Sequence, residues 1–505
     1  MPVAFFRPAL RVWLPALLLC LLGVGIFISH TRHNDFPFTY HPDEDTKVRQ
    51  IVTGKRNFFH PLLLIETVNR VFQVGGLPRD PMLAALVGRA VSAAFTALAL
   101  VALTALAARW AGWPGGLIAG ILLTLNPLAY ELAHYFKEDP ALLLGLAVTL
   151  LAVDFFDRSP GWKTAAFLGF GCALASSGKY LGVITLVLAL PLLVVRGKGR
   201  SLAIWSGFLG GFIVPMLLIN LPILLRLEDF KKGLEREMSG ATGGHRGQGR
   251  SVPHAEYLHK MWTSTAPGIW AGAVVFGGWF VASLKKQSLG RWLIFLFPIV
   301  FLIVLSFSPK TAGRYLLPNQ VLLTWACAVG CGLLFQQIGK HALPGRWLVG
   351  CLAGGITLWA VLSSADGYRV QKEGFEHDAR TSLRTWIDAN TPPRAAIASD
   401  GRVDLQAGGR WPERVVLTSE FVADLGDLPS LRDRGVTHVA VSRQSYARFF
   451  SDKFLPSAGS SPDFLRRREF YETLFAVGKK VWQTKPGVNI YLHPGMELYD
   501  IRIAP

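Results

Sequence analysis

The sequence has few charges for its size, and this scarcity already excludes several classes of protein. Only 17% of its 505 residues are charged, whereas 51% are hydrophobic and the mean hydropathy is +0.34. Average soluble domains are about 25% charged. A soluble cytosolic enzyme, a disordered chain and a small disulfide scaffold are therefore excluded. The 32 Phe and 15 Trp residues are typical of aromatic side chains that face lipid or its interface. The composition indicates a membrane protein.

Cysteine and phosphate-binding glycine motifs are also scarce. All five cysteines fall inside apolar runs, so the polar C-terminal part of the chain cannot form an internal disulfide. Neither GxGxxG nor GxxxxGK[ST] occurs in that part. The chain shows no internal repeat. The sequence therefore offers no glycine loop that would cradle a nucleotide phosphate.

The net charge of +18 is concentrated in one part of the chain. Residues 364–505 carry 20 Lys and Arg against 18 Asp and Glu, a net charge of only +2. The remaining +16 lies in the short segments between apolar runs, as the positive-inside rule expects of cytoplasmic loops. A nucleic-acid partner is not needed to explain this charge.

Eleven apolar stretches have the composition of membrane-spanning helices, which need roughly 20 apolar residues. The first lacks a small-residue cleavage pattern after it, so we interpret it as a retained anchor. The predicted spans are 12–29, 82–107, 113–130, 140–156, 164–177, 180–195, 201–222, 266–284, 292–307, 315–337 and 346–363.

The connecting segments predict the orientation. Basic residues occupy alternate connectors, on the same side as Arg7 and Arg11, which places the N-terminus in the cytoplasm. An odd number of spans then puts residues 364–505 on the outer face, together with loops 30–81 and 225–265. Loop 225–265 is rich in Gly and His, and is either a lid over a site or an ordinary flexible loop.

The C-terminal part is predicted to be a small extracytoplasmic α/β domain. A helix is expected over Arg380–Asn390, ending before a Pro-Pro pair. Short β-like runs follow at Ala395–Ser399, Arg414–Thr418, His438–Ser442 and Val488–His493. The predicted organisation is a transmembrane domain over 1–363 and an outer α/β domain over 364–505.

Two acidic groups lie at predicted outer ends of spans. Asp43, Glu44 and Asp45 follow the first span, and Glu138 and Asp139 stand in a short turn before Pro140. A carboxylate at the membrane surface can act as a general base or bind a metal ion. The alternatives are a solvated acidic loop for the first group and a helix cap at Asp139.

Several cations share that predicted face. Lys310, Arg314 and Tyr315 lie between two late spans, and Lys179 follows the fifth. Arginine suits a bidentate grip on phosphate; the alternative is that these cations are interfacial anchors. Together the acids and cations predict an outer-face site that handles an anionic lipid.

At these residues the sequence resembles the GT-C superfamily of polyprenyl-phosphate-sugar-dependent glycosyltransferases, in the bacterial branch related to aminoarabinose transferase and protein O-mannosyltransferases. Four features carry the resemblance: the pair Asp43–Glu44, HPLLL at His60–Leu64, KEDP around Asp139, and KTAGRYLLP at Lys310–Pro318. It covers essentially the whole chain. It implies a GT-C-like fold of about 11 transmembrane helices.

The resemblance implies an inverting sugar transfer. Asp43 would be the base that accepts the proton of the acceptor hydroxyl or amine, and Glu44 would share that role or orient the acceptor. The residue triplet leaves open which carboxylate matches the family's base. The substrate-binding residues that the resemblance implies are His60, Lys137, Asp139, Lys179, Lys310, Arg314 and Tyr315.

No cofactor is required for this chemistry, because phosphate is already a good leaving group. A divalent ion bound by Asp139 and Glu138 is the one metal site that the resemblance suggests. The expected partners are a polyprenyl-phosphate sugar donor, membrane lipids, and a lipid, glycan or protein acceptor. The expected location is a bacterial inner membrane, with the site facing the periplasm.

Two other function classes remain open from the sequence. A transporter or flippase of a lipid-linked substrate would show two related halves and broken helices near the midplane, and no similarity between halves is visible. A scaffold whose C-terminal domain binds a partner would leave the acidic and basic outer turns unexplained.

Overall fold

The structure is a computed structural model. It describes residues 6–35, 40–197, 201–243, 253–308, 311–338, 342–405, 411, 414–451, 462–489 and 491–502. The described residues divide into two compact units. The first, the membrane unit, contains those of 1–32, 47–244 and 252–369; the second, the C-terminal unit, contains those of 33–46 and 370–505.

Helices dominate the chain up to residue 376. They are α1 (Phe6–Thr31), α2 (Pro42–Thr53), α3 (Leu63–Gly75), α4 (Pro81–Thr124), α5 (Pro127–Ala133), α6 (Asp139–Arg158), α7 (Trp162–Gly178), α8 (Leu186–Arg196), α9 (Leu202–Leu225), α10 (Leu227–Gly243), α11 (Pro253–Ser264), α12 (Pro267–Ala282), α13 (Leu289–Leu305), α14 (Leu317–Gln337) and α15 (Leu343–Glu376). Short 3₁₀-helices occupy Tyr180–Thr185, Leu284–Lys286 and Gly313–Leu316.

The chain is a polytopic membrane protein. Among the described residues, the helices α1, α4, α6, α9, α14 and α15 are long and apolar enough to cross a membrane, and the bent pair α11–α12 makes seven if counted as one span. The eleven predicted segments all contain helix. Eight of them coincide with one helix each, whereas 82–107 and 113–130 share α4 and 180–195 begins as a 3₁₀-helix. The count of eleven spans stays a prediction.

Helix α4 is two helices in sequence, as the two predicted spans require. Ala111 and Gly112 interrupt it with non-helical dihedrals, and Gly112 has a φ of +66° that suits only glycine. Beyond this break the chain runs back on itself, because Gly116 lies beside Ala108. The second arm ends at Thr124 rather than at 130, since Asn126 caps α5 by accepting a hydrogen bond from the Ala129 N–H.

Small residues bring α6 and α7 into backbone contact. A Cβ atom on Gly178 would lie 2.7 Å from the backbone of Ala141 and Leu142, and one on Gly145 would overlap the backbone of Ala175. Such close approach is typical of helix pairs in membranes. Lipid removes the hydrophobic driving force between helices, so association depends on close packing, which small residues allow. The pairing fixes the start of α6 beside the end of α7, where Asp139 and Lys179 stand.

Loop 225–265 contains two helices instead of an irregular lid. Helix α10 is made of good helix formers and carries an ion pair between Lys231 and Glu228 at 2.8 Å. Helix α11 follows, and residues 244–252 lie outside the described residues. The high Gly and His content of the intervening segment led the sequence interpretation to treat the whole stretch as loop.

The C-terminal unit is an α/β domain with a mixed five-stranded sheet. Its helices are α16 (Ala379–Asn390), α17 (Leu428–Asp433), α18 (Arg443–Tyr446) and α19 (Pro462–Val477), with short 3₁₀-helices at Val422–Leu425 and Ala447–Phe450. Its strands are β1 (Ala396–Asp400), β2 (Val416–Ser419), β3 (Val436–Ser442), β4 (Lys479–Gln483) and β5 (Met496–Asp500), in the order β2-β1-β3-β5-β4. Strand β1 pairs in parallel with β2 and β3, whereas β5 pairs antiparallel with β3 and β4.

Alternate residues of the strands divide the core between the two faces of this sheet. Ile397 and Ala440 pack with α16 on one face, whereas Ala398 and Val439 pack with residues of α17 and α19 on the other. This alternation follows from the two-residue period of a strand. Helix α16 and the first three strands confirm the predicted elements to within two residues.

The fourth predicted strand is wrong. The described residues of Val488–His493 form a turn, and the remaining strands are β4 and β5. Asn489 explains the turn, because its side-chain oxygen accepts hydrogen bonds from the backbone N–H groups of Tyr491 and Leu492. The predicted domain boundary at residue 363 stays a prediction; in the structure the units divide at 369/370, within α15.

Candidate active site

The centre of the candidate site is an ion pair between the ends of α6 and α7. Lys179 Nζ lies 2.8 Å from Asp139 Oδ1, and Asp139 is buried. The second carboxylate oxygen, Asp139 Oδ2, is buried and makes no hydrogen bond among the described residues. Asp139 is not the helix cap, since Glu138 holds that position. Asp139 therefore keeps one buried acceptor oxygen besides the oxygen that is paired with Lys179.

A second carboxylate, Glu138, is surrounded by basic side chains. Lys47 Nζ lies 3.0 Å from Glu138 Oε1, and His60 Nε2 lies 3.9 Å from Glu138 Oε2. Burial alone would raise the pKa of Glu138, but His60, Lys47 and Lys137 outweigh burial and lower this pKa to about 2. Burial lowers the pKa of His60, although Glu138 opposes that effect. Glu138 is therefore a permanent negative charge.

Two cations and Tyr315 complete the cluster. Lys179 Nζ lies 4.7 Å from the centre of the Tyr315 ring, and the Arg314 guanidinium lies 5.2 Å from it. Arg314 and Tyr315 belong to the 3₁₀-helix that precedes α14. Arg314 also interacts electrostatically with Asp139. The structure thus brings together Asp139, Lys179, Arg314 and Tyr315 from three distant parts of the sequence.

The HPLLL segment is held against the same helices by hydrogen bonds. Asn220, at a kink in α9, accepts from the Leu62 N–H at 3.1 Å and donates to Ser177 Oγ at 2.9 Å. The Tyr180 hydroxyl donates to the Phe58 carbonyl at 2.9 Å. These bonds hold the backbone on both sides of His60, and His60 therefore lies next to Glu138 in the turn before α6.

Sequence reasoning missed two members of the cluster, Lys47 and Glu131. Lys47 stands on α2, where it looked like an ordinary surface lysine. Glu131 accepts from the Tyr135 hydroxyl at 3.2 Å, and burial raises its pKa to about 7 despite that bond and the nearby Arg314. The available signal was that Glu131, in the run AYELAHYF, is an acid within a largely apolar stretch.

The first-loop acids belong to the C-terminal unit, at the start of α2. Glu44 is buried, and its carboxylate accepts from the Tyr40 N–H at 2.7 Å. The Asp43 side chain is 44% exposed, and its Oδ2 lies 3.7 Å from His41 Nδ1. The two acids are therefore in different environments: Glu44 stabilises the start of the helix, whereas the carboxylate of Asp43 is accessible.

Two further predicted residues have different outcomes. Lys137 is buried and interacts electrostatically with Glu138 and Asp139. Lys310 lies outside the described residues. Both assignments as substrate-binding residues stay predictions.

The acids at 138 and 139 do not fit a metal site in this arrangement. Each carboxylate is bound by a lysine, through Lys47 or Lys179. Among the residues that the structure describes, no group of three or more His, Cys, Asp or Glu side chains has the arrangement of a metal site. The divalent ion suggested for Asp139 and Glu138 stays an untested prediction.

Comparison with known proteins identifies the fold. No protein-family profile matches the chain, and no curated protein matches it in sequence. Among solved structures it is similar to ArnT from Cupriavidus metallidurans bound to undecaprenyl phosphate, with a TM-score of 0.54 and 14% identity over 96% of this chain and 98% of that one. The apo form of ArnT gives the same TM-score at 15% identity and the same coverage.

A second similar structure is the archaeal oligosaccharyltransferase AglB from Archaeoglobus fulgidus, in complex with an inhibitory peptide and a dolichol-phosphate. Its TM-score is 0.53, with 12% identity over 89% of this chain and 72% of that one. Identities this low establish the fold alone. The helical membrane unit and the small α/β domain therefore have the fold of ArnT and AglB, which confirms the GT-C-like fold that the sequence resemblance implied.

Proposed function

We propose that this protein transfers a sugar from a polyprenyl-phosphate donor to a lipid, glycan or protein acceptor on the periplasmic face of the inner membrane. The observation that carries the proposal is the cluster that Lys179, Arg314 and Tyr315 form around the buried Asp139, whose Oδ2 makes no hydrogen bond among the described residues. The similar structures with undecaprenyl phosphate and dolichol-phosphate support a lipid phosphate as the ligand class.

Asp43 is the base in this proposal. It takes the proton from the acceptor hydroxyl or amine as that group attacks the anomeric carbon of the sugar. The bond between that carbon and the phosphate oxygen breaks on the opposite side, and the electron pair leaves with the phosphate. The exposed carboxylate of Asp43 favours it over Glu44, whose carboxylate is buried against the Tyr40 N–H. One base is sufficient for inversion.

Arg314 and Lys179 stabilise the departing phosphate. Negative charge grows on that phosphate in the transition state, and fixed cations in a dry site stabilise such charge more than water does. Asp139 holds the Lys179 ammonium in place at 2.8 Å and keeps it protonated. Both cations also lie over the Tyr315 ring, at 4.7 Å for Lys179 Nζ and 5.2 Å for the Arg314 guanidinium, where the ring attracts positive charge.

The decisive experiment measures release of free polyprenyl phosphate by mass spectrometry. Purified protein in lipid is given a panel of polyprenyl-phosphate sugars with an envelope extract as acceptor. We expect Asp43→Asn to slow release by about 10²- to 10⁴-fold, as for loss of a general base. Arg314→Ala should slow it by about 10²- to 10³-fold, as for loss of a transition-state donor. Glu138→Gln should be milder, because a glutamine still accepts from Lys47.

Matched controls are available in the first outer loop. Asp35→Asn and Arg70→Ala make the same substitutions as Asp43→Asn and Arg314→Ala, but at exposed residues. Both controls should leave the release of polyprenyl phosphate unchanged. Full activity in both Asp43→Asn and Arg314→Ala would contradict the site assignment. Intact passage of labelled donor lipid across the bilayer, without release of phosphate, would replace the proposal with a transporter.

A further inference from the structure

The segment that contains Asp43 packs within the C-terminal unit, although it lies more than 300 residues from that unit's other members in sequence. This segment, called here the base segment, consists of Tyr40 to Thr46. Tyr40, His41 and Glu44 are buried, with relative exposures of 1%, 3% and 0%. Asp43 lies between these buried residues, with its carboxylate exposed.

Two aromatic contacts join the base segment to the C-terminal domain. The ring of His41 lies 4.4 Å from that of Tyr491, and the ring of Tyr40 lies 5.9 Å from that of Phe375. Phe375 is fully buried. Charged groups add to these contacts, because Arg380 interacts electrostatically with Tyr40.

The turn that carries Tyr491 is itself fixed. Asn489 is buried and accepts from the Tyr491 N–H at 3.3 Å. His493 Nε2 lies 2.9 Å from the carbonyl oxygen of Gly374, beside Phe375. A hydrogen bond between their near neighbours, His493 and Gly374, therefore links the two segments that carry Tyr491 and Phe375.

Local hydrogen bonds extend this anchoring to Asp43. The Asp43 N–H donates to His41 Nδ1 at 3.1 Å, and the Tyr40 N–H donates to the Glu44 carboxylate at 2.7 Å. The Glu44 N–H donates to the His41 carbonyl at 2.9 Å. The same two residues that pack on the C-terminal domain thus set the backbone of Asp43.

We propose that the C-terminal domain positions the base of the transferase, with Tyr491 and Phe375 as positioning residues that act on Asp43 through His41 and Tyr40. The proposal rests on the proposed function for its kinetic consequence. It gives the domain a role in the reaction itself. A base displaced by about 1 Å can lose roughly 10²-fold in rate.

The experiment compares Tyr491→Ala with Tyr491→Phe in the full-length protein in lipid. Two quantities are measured: hydrogen–deuterium exchange of a peptide covering Tyr40 to Thr53, and kcat and KM for the polyprenyl-phosphate sugar. We expect Tyr491→Ala to speed exchange at 40–46 and to lower kcat at least tenfold, with KM for the donor changed less than twofold. Tyr491→Phe keeps the ring and should match the native protein in both.

Trp411→Ala is the matched control. Trp411 is an aromatic residue of the same domain, and its ring packs against Arg384 and Arg414. It should leave exchange in the base segment and kcat unchanged. The melting temperature of both variants is measured as well. If both lose the same stability and only Tyr491→Ala lowers kcat, the loss of kcat comes from positioning and not from stability.

The failures of the two proposals are distinguishable. Unchanged exchange at 40–46 in Tyr491→Ala overturns this inference, as does faster exchange with native kcat. A native protein that turns over no donor contradicts the proposed function instead, and the exchange measurement then still decides whether Tyr491 anchors the base segment.

Discussion

Each buried charge at the ends of α6 and α7 has its own counter-charge, and this pairing determines what the side chains can do. Glu138 is bound by Lys47 and Asp139 by Lys179. Breaking one partner of a buried ion pair costs about 3–5 kcal/mol, because the other charge stays buried. Lys179 and Asp139 are therefore held in one geometry, and Asp139 Oδ2 stays a buried acceptor with no hydrogen bond among the described residues.

Asp400 in the C-terminal domain provides a pH-dependent prediction at this scale. It lies buried at the end of β1, where its carboxylate accepts from the Val422 and Ser442 N–H groups and the Tyr471 hydroxyl. Burial raises the pKa of Asp400 to about 6, although these hydrogen bonds lower it. The folded domain thus keeps a proton that the unfolded chain releases near pH 4.

Stability of the domain should accordingly fall as pH rises from about 4 to about 6, and this contribution should level off above pH 6. Asp400→Asn cannot titrate, so the variant should lack this part of the slope even though it is less stable overall. The measurement is hydrogen exchange of β1 and β3 as a function of pH in both proteins. A parallel slope in the two would contradict the assignment.

At the scale of elements, the site depends on glycines that carry no chemistry. Gly145 lets the backbone of α6 touch that of α7 at Ala175. Exchanging glycine for alanine inside a helix normally stabilises it by about 1 kcal/mol. Here a methyl group would instead push the two helices apart, and Asp139 and Lys179 stand at their adjoining ends.

We therefore expect Gly145→Ala to lower the melting temperature and to reduce donor turnover at least tenfold. Gly210→Ala in α9 is the control, because a Cβ at Gly210 has open space around it. That variant should be as stable as the native protein or slightly more stable. Thermal unfolding in lipid and release of polyprenyl phosphate check both variants. Native behaviour of Gly145→Ala would show that the helix pair is more adaptable than its packing indicates.

At the scale of the whole molecule, the charge distribution predicts the orientation in the membrane. Arg109 lies beside the break in α4, Arg158 and Arg196 end α6 and α8, and each is paired with Asp154 or Asp157. The net charge of the membrane part is large and positive, whereas the C-terminal domain is nearly neutral. The positive-inside rule therefore predicts that these arginines face the cytoplasm and that the C-terminal domain faces the other side.

Thiol labelling tests this orientation. In a variant without the five natural cysteines, Ser159→Cys marks the arginine side and Ala389→Cys marks the C-terminal domain; both positions are exposed. A membrane-impermeant maleimide should label Ala389→Cys in intact cells with a permeable outer envelope, and Ser159→Cys only after lysis. Labelling in the reverse order would invert the topology, and the cysteine-free protein gives the background.

The sequence by itself determined the class of the protein and the location of its helices. Many apolar runs of this length indicate membrane-spanning segments. Because lipid offers no hydrogen-bond partners, the backbone of such a segment must bond internally as a helix. The location of the helices therefore follows from composition. It also pointed to Asp139, Lys179 and Arg314, since charges at the ends of apolar runs stand out against their surroundings. The first three strands and α16 followed from local pattern and a Pro-Pro stop.

Only the tertiary structure decided which of these residues meet. The pairing of Lys179 with Asp139 depends on backbone contact between α6 and α7, and long-range contacts of this kind leave no local pattern. Lys47 resembles a surface residue in the sequence, and only the packing buries it. The apolar residues of Val488–His493 favour a strand, but the Asn489 side chain accepts from the Tyr491 and Leu492 N–H groups and forms a turn. The base segment packs with residues 370–505, which are distant in the sequence. A contact between such distant segments leaves no periodic pattern from which it could be predicted.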